Sequence, residues 1–352
     1  MSHKIITNLF RFATGQGAQG LTIESRPSHL ALDYHFPGGD RQSFTLPKKL
    51  EKELLDDLHR LLKIAPGELT AKKYCKLSDG RQSSAFHVTI LPGEFGEKII
   101  ISQVPKNCRA WRLKQLGCPP FVLKNLQAAI KKRAGLILLS GPSLSGRNAT
   151  LHALLRDLDR EKKTVYLLGD EPIKNIPGLN TLTPTPANQE WLLRHDSEII
   201  ALESIDQAED LRFAFTGANT GRLIIGVMNA DSSWEVLNDI LALPLPLKLK
   251  LDSLKIITNQ RLAKMKRAQN GRQKNERREI ALFEMFRLTP AIKQFLLKNE
   301  KTILALSLKK DTKTIKKFWE ELAILARESG FMPLALDQQA KVKAGILAKD
   351  NQ

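Results

Sequence analysis

The residues with the clearest chemical potential lie in Gly141–Ala149, which reads Gly-Pro-Ser-Leu-Ser-Gly-Arg-Asn-Ala. An apolar run, Leu136–Leu139, leads into a small-residue turn, Ser140–Gly146, and a helical pattern follows over Asn148–Leu155. Strand, glycine-bounded turn and helix form the layout of a phosphate-binding P-loop. In such a loop, backbone N–H groups and a helix N-terminus offer partial positive charge to an anion. Gly141 and Gly146 keep the G-x-x-x-x-G spacing, but two chemical residues differ. Arg147 stands where the motif has lysine, and a planar guanidinium does not replace a compact ammonium conservatively. Asn148 stands where a Ser or Thr hydroxyl binds magnesium. Arg147 reads either as a remaining phosphate contact or as a surface charge paired with Asp170 or Glu171. Taken alone, Gly141, Pro142, Ser143, Leu144, Ser145, Gly146, Arg147, Asn148 and Ala149 also fit an ordinary strand–turn–helix junction.

Other candidates are weaker. An acidic turn, Gly169-Asp170-Glu171-Pro172, follows an apolar strand at Thr164–Leu168, and Glu203 and Ser204 follow another at Glu198–Leu202. His195, between Arg194 and Asp196, reads as a surface histidine rather than an acid–base group. His152 reads as packing on the loop helix. The run Leu241–Leu251 reads as helix-entry packing, not as a membrane anchor.

Composition limits the function classes. The chain has 352 residues, long for one core, so two domains are expected. With 42% hydrophobic and 26% charged residues it reads as globular and soluble rather than disordered. No apolar run approaches the roughly 18–20 residues of a membrane span. The N-terminus lacks the apolar core and cleavage site of a signal peptide. Cys75, Cys108 and Cys118 show neither metal-ligand nor disulfide spacing, so a reducing cytoplasm is expected. The net charge of +18 calls for an anionic partner. Its densest run, Lys264–Arg278, reads as a solvated basic loop or as a contact with lipid headgroups or a partner. Nucleic acid is disfavoured, because aromatics are 6% of residues and none interleave this run.

The elements that must position these residues follow from periodicity. Two strands are expected in Leu21–Gln42, a helix over Leu46–Leu62 and a hairpin over Ser84–Val104. Together they form a small α/β domain, 1–105, with a linker at 106–120. A helix at Phe121–Lys132 then precedes the loop strand. Apolar strands at Thr164–Leu168, Glu198–Leu202 and Arg222–Met228, separated by helical stretches, indicate a mostly parallel sheet covered on both faces. The C-terminal part is expected to be mainly helical: Trp234–Leu241, Leu247–Lys266, Thr289–Leu297, Ile315–Glu328 and Leu334–Lys343.

In this order the segments resemble the motor ATPases of type II secretion and of type IV pilus assembly and retraction. The family's GPTGSGKTTTL is similar to Gly141–Leu151. Its EDPIE and IPGINQ resemble Asp170–Lys174 and Ile176–Thr181. Its LRqDPDvImvGEiRD resembles Leu193–Gln207, and its TGHLvfgTLHTN resembles Thr220–Asp231. QRL is present as Gln260-Arg261-Leu262. Arg278–Met285, Thr289–Ile292 and the Gly330, Met332, Leu334, Gly345 series echo later pieces. Asp79-Gly80-Arg81 and Leu91–Lys98 echo the family's first domain. The resemblance implies a PAS-like N-terminal domain, 1–105, and a RecA-like P-loop domain, 121–352. It also implies ATP with magnesium, a hexameric ring and an inner-membrane platform partner.

It also shows what has changed. The loop glycine between Thr and Ser becomes Leu144, where a positive φ would be strained. Aligned without gaps, the catalytic glutamate falls on Ser204, with Glu203 on the neighbouring glycine; a one-residue slip would restore Glu203. The two family histidines fall on Arg222 and Asn229. The acidic turn is swapped to Asp170-Glu171, with Lys174 for the next carboxylate. The arginines that reach across to phosphate fall on His87 and Ser102, and the R-x-R-x-DG strand on Asp33, His35 and Pro37. The tetra-cysteine zinc insert of the assembly branch is replaced by Lys264–Arg278, so no zinc is expected, and no counterpart of that branch's long N-terminal domain is expected either. Structural residues Pro172, Pro177, Gly178, Gly221, Gln260 and Leu262 stand. Phosphoryl transfer is almost entirely positioning and charge stabilisation, so this pattern implies a catalytically inactive homologue with a structural or regulatory role. Two alternatives remain open: a weak, divergent ATPase using Asp170 or Glu171, and a basic adaptor docking on membrane or nucleic acid without nucleotide.

Overall fold

The computed structural model describes residues 4–36, 40–62, 72–78, 83–104, 111–158, 162–169, 176–266, 279–307 and 312–348. The acidic turn with Asp170 and Glu171, the Asp79–Arg81 triplet, Pro37, Cys108 and most of the basic run lie outside them. The chain divides into two compact units, Met1–Arg109 and Ala110–Gln352.

The first unit contains α1 (Lys4–Gln16), β1 (Gly20–Ser25), β2 (His29–His35), β3 (Arg41–Pro47), α2 (Glu51–Leu62), β4 (Lys72–Ser78), β5 (Ser83–Gly93) and β6 (Gly96–Val104). Its six strands form one antiparallel sheet in the order β3-β2-β1-β6-β5-β4. Alternation decides the buried face: Leu21, Ile23, Leu30, Leu32, Val88 and Ile99 pack with Ile6, Phe10, Leu54 and Leu58 of the two helices. The expected helix at Leu46–Leu62 begins later, because Leu46 and Pro47 finish β3 as an edge strand.

The second unit contains α3 (Pro120–Ala129), β7 (Gly135–Gly141), α4 (Arg147–Asp157), β8 (Val165–Leu168), β9 (Leu179–Leu182), α5 (Pro186–Arg194), β10 (Ile199–Ile205), α6 (Ala208–Asn219) and β11 (Leu223–Asn229). It continues with α7 (Ser233–Ala242), α8 (Leu247–Ser253), β12 (Leu254–Lys264), β13 (Glu279–Arg287), α9 (Pro290–Lys298), α10 (Glu300–Ser307), α11 (Thr312–Glu328) and α12 (Leu334–Lys343). The seven-stranded sheet runs β13-β12-β7-β11-β10-β8-β9, and every pairing is parallel except β12–β13. β7 is buried throughout. Leu136 and Leu138 enter one core, Ile137 and Leu139 the other. Such two-sided burial explains a strand without alternation.

The expected long helix at Leu247–Lys266 is corrected: helix ends at Ser253, and Leu254–Lys264 is a central strand. Leu247, Leu249 and Leu251 carry the helical turn, whereas Ile256, Ile257 and Thr258 are β-branched and pack between β7 and β13. Leu247 and Leu251 join the core, as packing at a helix entry requires.

Lys250 is buried and donates from Nζ to the carbonyls of Leu241 (2.8 Å) and Leu243 (2.9 Å), satisfying the end of α7. Burial pulls its pKa from 10.5 down to about 8. Between those values the folded chain has released a proton that the unfolded chain still holds, so this group's contribution to stability rises with pH. The stability difference between the native chain and Lys250→Met therefore shifts towards the native chain from pH 8 to 10.5, as urea titrations at a pH series would measure.

Candidate functional site

The Gly141–Ala149 turn is built as a strand-to-helix loop at the carboxy end of β7, with α4 starting at Arg147. Gly141 has φ 153° and Gly146 φ 84°, and a side chain at Gly141 would collide with the Gln260 carbonyl. Leu144 has φ 64°, the expected left-handed position, and its side chain is 56% exposed. A left-handed non-glycine residue costs about 1–2 kcal/mol. Leu144→Gly relieves that strain and loses little packing, although glycine loosens the unfolded chain. The net expectation is a gain of about 0.5–1 kcal/mol in chemical denaturation.

Gln260 on β12 braces the loop. Its Nε2 donates to the Ser145 carbonyl (2.7 Å), and its Oε1 accepts from Thr150 Oγ1 (2.7 Å). Beside it, Asn259 Nδ2 donates to Ser140 Oγ and to the Ala230 carbonyl, each at 3.0 Å. Ser145 Oγ is buried and has no hydrogen-bond partner among the described residues.

Arg147 does not point away as a free surface charge. Its Nη1 donates to the Met228 carbonyl and to Asn229 Oδ1 (3.3 Å), at the carboxy end of β11. Burial pulls the guanidinium below its usual range, opposed by the nearby Asp206 carboxylate. Two altered positions of the resemblance, Arg147 and Asn229, therefore hold each other.

Glu203 and Ser204 sit in a bulge of β10, between Leu202, paired with Gly226, and Ile205, paired with Met228. A bulge re-aims the side chains it contains. Glu203 packs against Gly169 at the end of β8, and its Oε1 lies 3.3 Å from His152 Nε2. His152 is five residues into α4 beyond Arg147, about 7–8 Å along the axis. The carboxylate thus contacts the body of the loop helix rather than Asn148 at its second position. Ser204 Oγ donates to Asp206 Oδ1. His152 is accordingly a polar neighbour of Glu203 as well as a packed side chain.

Arg222, at the other altered histidine position, is a structural clamp. It donates to Ser197 Oγ (3.0 Å), Thr220 Oγ1 (2.8 Å) and the carbonyls of Leu193 (2.8 Å) and His195 (3.1 Å). His195 stacks on Trp191, with centroids 4.2 Å apart, and its Nδ1 lies 2.8 Å from the Trp191 carbonyl.

In the first unit, His35, Gly20, Ser102 and His87 form one cross-strand row through β2, β1, β6 and β5. His35 and Ser102 therefore share one sheet face. His35 Nε2 lies 2.8 Å from Thr22 Oγ1, and Asp33 Oδ1 accepts from Ser43 Oγ at 2.6 Å. Burial, with Arg41 nearby, lowers the His35 pKa.

The sequence model for the family described as "Type II/IV secretion system protein" matches residues 72–347, more than half of the chain. The chain belongs to this family. It is 22% identical over 271 residues to a type II secretion system protein E of Klebsiella pneumoniae, covering 74% of this chain and 54% of that one. It is 24% identical over 241 residues to the type IV pilus assembly ATPase PilB of Thermus thermophilus, covering 66% of this chain and 27% of that one. The chain thus spans about half, or less, of the length of these relatives. The ATPase DotB of Legionella pneumophila has a similar fold (TM-score 0.64, 14% identity, covering 100% of this chain and 95% of that one). So does the pilus retraction motor PilT with bound ADP (TM-score 0.56, 17% identity, covering 95% and 96%). These likenesses establish the secretion-ATPase fold, with a RecA-like second unit, for this member of the family.

Among the described residues, the donor set does not fit magnesium-bound nucleotide. An amide stands at the hydroxyl position, the loop cation is bonded to β11 and Glu203 is bonded to His152. Among the described residues, no group of three or more His, Cys, Asp or Glu side chains could hold a metal ion. Among them, too, no helix is long and apolar enough to cross a membrane.

Proposed function

We propose that this member of the secretion and pilus family retains the motor fold without the motor chemistry. It acts as a structural or regulatory part of a type IV pilus or type II secretion apparatus, on the cytoplasmic side of the inner membrane. The single observation that carries this reading is the bonding of Arg147 to Met228 and Asn229, which commits the loop's cation to the protein itself. In this reading residues 1–105 form a PAS-like domain, 106–120 a linker and 121–352 the RecA-like domain. The chain joins a homohexamer or a mixed ring with active family subunits and meets the inner-membrane platform protein, with Lys264–Arg278 available to anionic lipid. Removing one preorganised group from such a site costs roughly 10²–10³ in rate, and several positions differ here at once.

A second reading, a slow divergent ATPase, draws support from the loop's kept left-handed turns and the unpartnered Ser145 hydroxyl. Steady-state hydrolysis of magnesium ATP by the full chain separates the two. The expected rate is at background and unchanged by Arg147→Ala. Turnover that falls with Glu203→Gln or Glu171→Gln supports the second reading instead. The third reading, a basic adaptor without nucleotide, rests on the +18 charge and the basic run Lys264–Arg278. Its binding to anionic vesicles must weaken as salt rises.

A further inference from the structure

At the outer edge of the first unit, β3 pairs with β2 and with no other strand among the described residues. Arg41–Thr45 and Pro47 are exposed along it. The register decides which backbone groups face outward. The Phe36 amide donates to the Asp40 carbonyl at 2.9 Å, one rung beyond the His35–Arg41 pair. Hydrogen-bonded and non-bonded pairs alternate in an antiparallel ladder, so Gln42, Phe44 and Leu46 bond to β2. Arg41, Ser43 and Thr45 turn their N–H and C=O groups outward. Pro47 continues that row without an N–H.

Proteins blunt such edges with bulges, charges or prolines, because an open ladder recruits another strand. Between Gln42 and Leu46, β3 has none of these: its register runs unbroken, and its residues are uncharged. It also presents an aromatic side chain. Phe44 is 46% exposed, and its ring stands edge-on to that of Phe12 (5.5 Å between centroids), itself 37% exposed, and to that of buried Tyr34 (5.8 Å).

The outward row fits a copy of itself. An antiparallel two-fold centred on Ser43 sets Ser43 opposite the copy's Ser43 and Arg41 opposite the copy's Thr45. All three outward residues then bond, no like charges oppose each other, and both prolines fall outside the ladder. Moving the axis loses this. Centred on Arg41, it opposes two arginines, and like charges directly opposite destabilise a pair. Centred on Gln42, it leaves Thr45 beyond the partner strand. Centred on Phe44 or Thr45, it sets Arg41 or Ser43 against Pro47, which cannot donate. In the Ser43 register the two Phe44 side chains are diagonal neighbours on one face, within reach of each other.

We propose that β3 is a two-fold docking edge for a second copy of this chain, joining two first units into one continuous sheet. A contact of this kind joins two copies and closes. It is therefore separate from a ring contact and stands whether or not the chain forms a ring.

The test is disulfide cross-linking of the full chain under mild oxidation, with one introduced cysteine at a time. A hydrogen-bonded pair holds its Cα atoms about 5.5 Å apart, within disulfide range. Ser43→Cys should give a covalent dimer at least tenfold faster than Arg41→Cys or the native chain, whose own cysteines set the background. Ser43→Pro keeps the β2–β3 ladder, because that N–H faces outward. It should weaken self-association in sedimentation at least tenfold with circular dichroism unchanged. Each copy carries a net charge of +18, so the association should strengthen as salt rises. Equal cross-linking through Ser43→Cys and Arg41→Cys overturns the proposal, as does association that Ser43→Pro leaves intact. Association that weakens as salt rises overturns it too, because the contact would then rest on ion pairs.

Discussion

Lys341→Met lowers stability by about 3–5 kcal/mol, the cost of breaking a buried ion pair from one side. Asp337 and Lys341 are 2% and 7% exposed. Lys341 Nζ donates to Asp337 Oδ2 and to the Ala281 carbonyl (2.8 Å), and Asp337 Oδ2 also accepts from the Phe283 amide (2.8 Å). The pair fastens α12 to β13, and each charge is the main compensation for burying the other. Burial alone raises the Asp337 pKa and lowers that of Lys341. Replacing both residues with methionine should recover part of the loss, because no charge is then stranded. Urea unfolding of the native chain and both variants measures this. A single-variant loss under 1 kcal/mol would show the pair to be solvated in solution.

Restoring the loop has the second large expected effect. Leu144→Gly, Arg147→Lys and Asn148→Thr together return the motif's turn, compact cation and hydroxyl. A lysine ammonium cannot reproduce the planar guanidinium's hold on Met228 and Asn229, so the cation is released towards the helix N-terminus. Two charge-assisted contacts regained at about 1.5–2 kcal/mol each amount to roughly 10²–10³ in affinity. The triple variant should therefore bind magnesium ATP at least tenfold more tightly than the native chain in a fluorescent-nucleotide competition. No gain would mean that the loop substitutions are not what limits binding.

Much of the second unit was legible because its strands are short, apolar and punctuated: Leu136–Leu139, Glu198–Leu202 and Arg222–Met228 each fall within or against an observed strand. β12 was not legible. Its central position buries both faces, which removes alternation, and Lys255, Gln260 and Arg261 break the apolar run. β13 was missed because, although an edge strand, it is buried along both faces and Glu284 breaks its apolar run. α1 was missed because its apolar face, Ile6, Phe10 and Ala13, reads as a short N-terminal apolar piece until it has a sheet to cover.

At the candidate site the spacing showed which positions had changed, and the left-handed residue at 144 followed from the motif. Spacing could not show that Arg147 reaches Asn229, 82 residues away. Nor could it show that a bulge turns Glu203 onto His152, because a bulge depends on strand register that neither segment states alone. The clamp role of Arg222 was equally hidden, since three of its four acceptors, in Leu193, His195 and Ser197, lie 25–29 residues earlier in the chain. Gln260 was singled out only as part of a motif; its brace on the loop emerges once β12 is placed beside β7.

The most direct test of the central claim is calorimetric titration of the purified full chain with ATP and a non-hydrolysable analogue, with and without magnesium. A loop whose cation is committed to Met228 and Asn229 predicts no magnesium-dependent binding of either nucleotide. Magnesium-dependent binding that Arg147→Ala abolishes would contradict it, and would show that the guanidinium leaves β11 to hold phosphate.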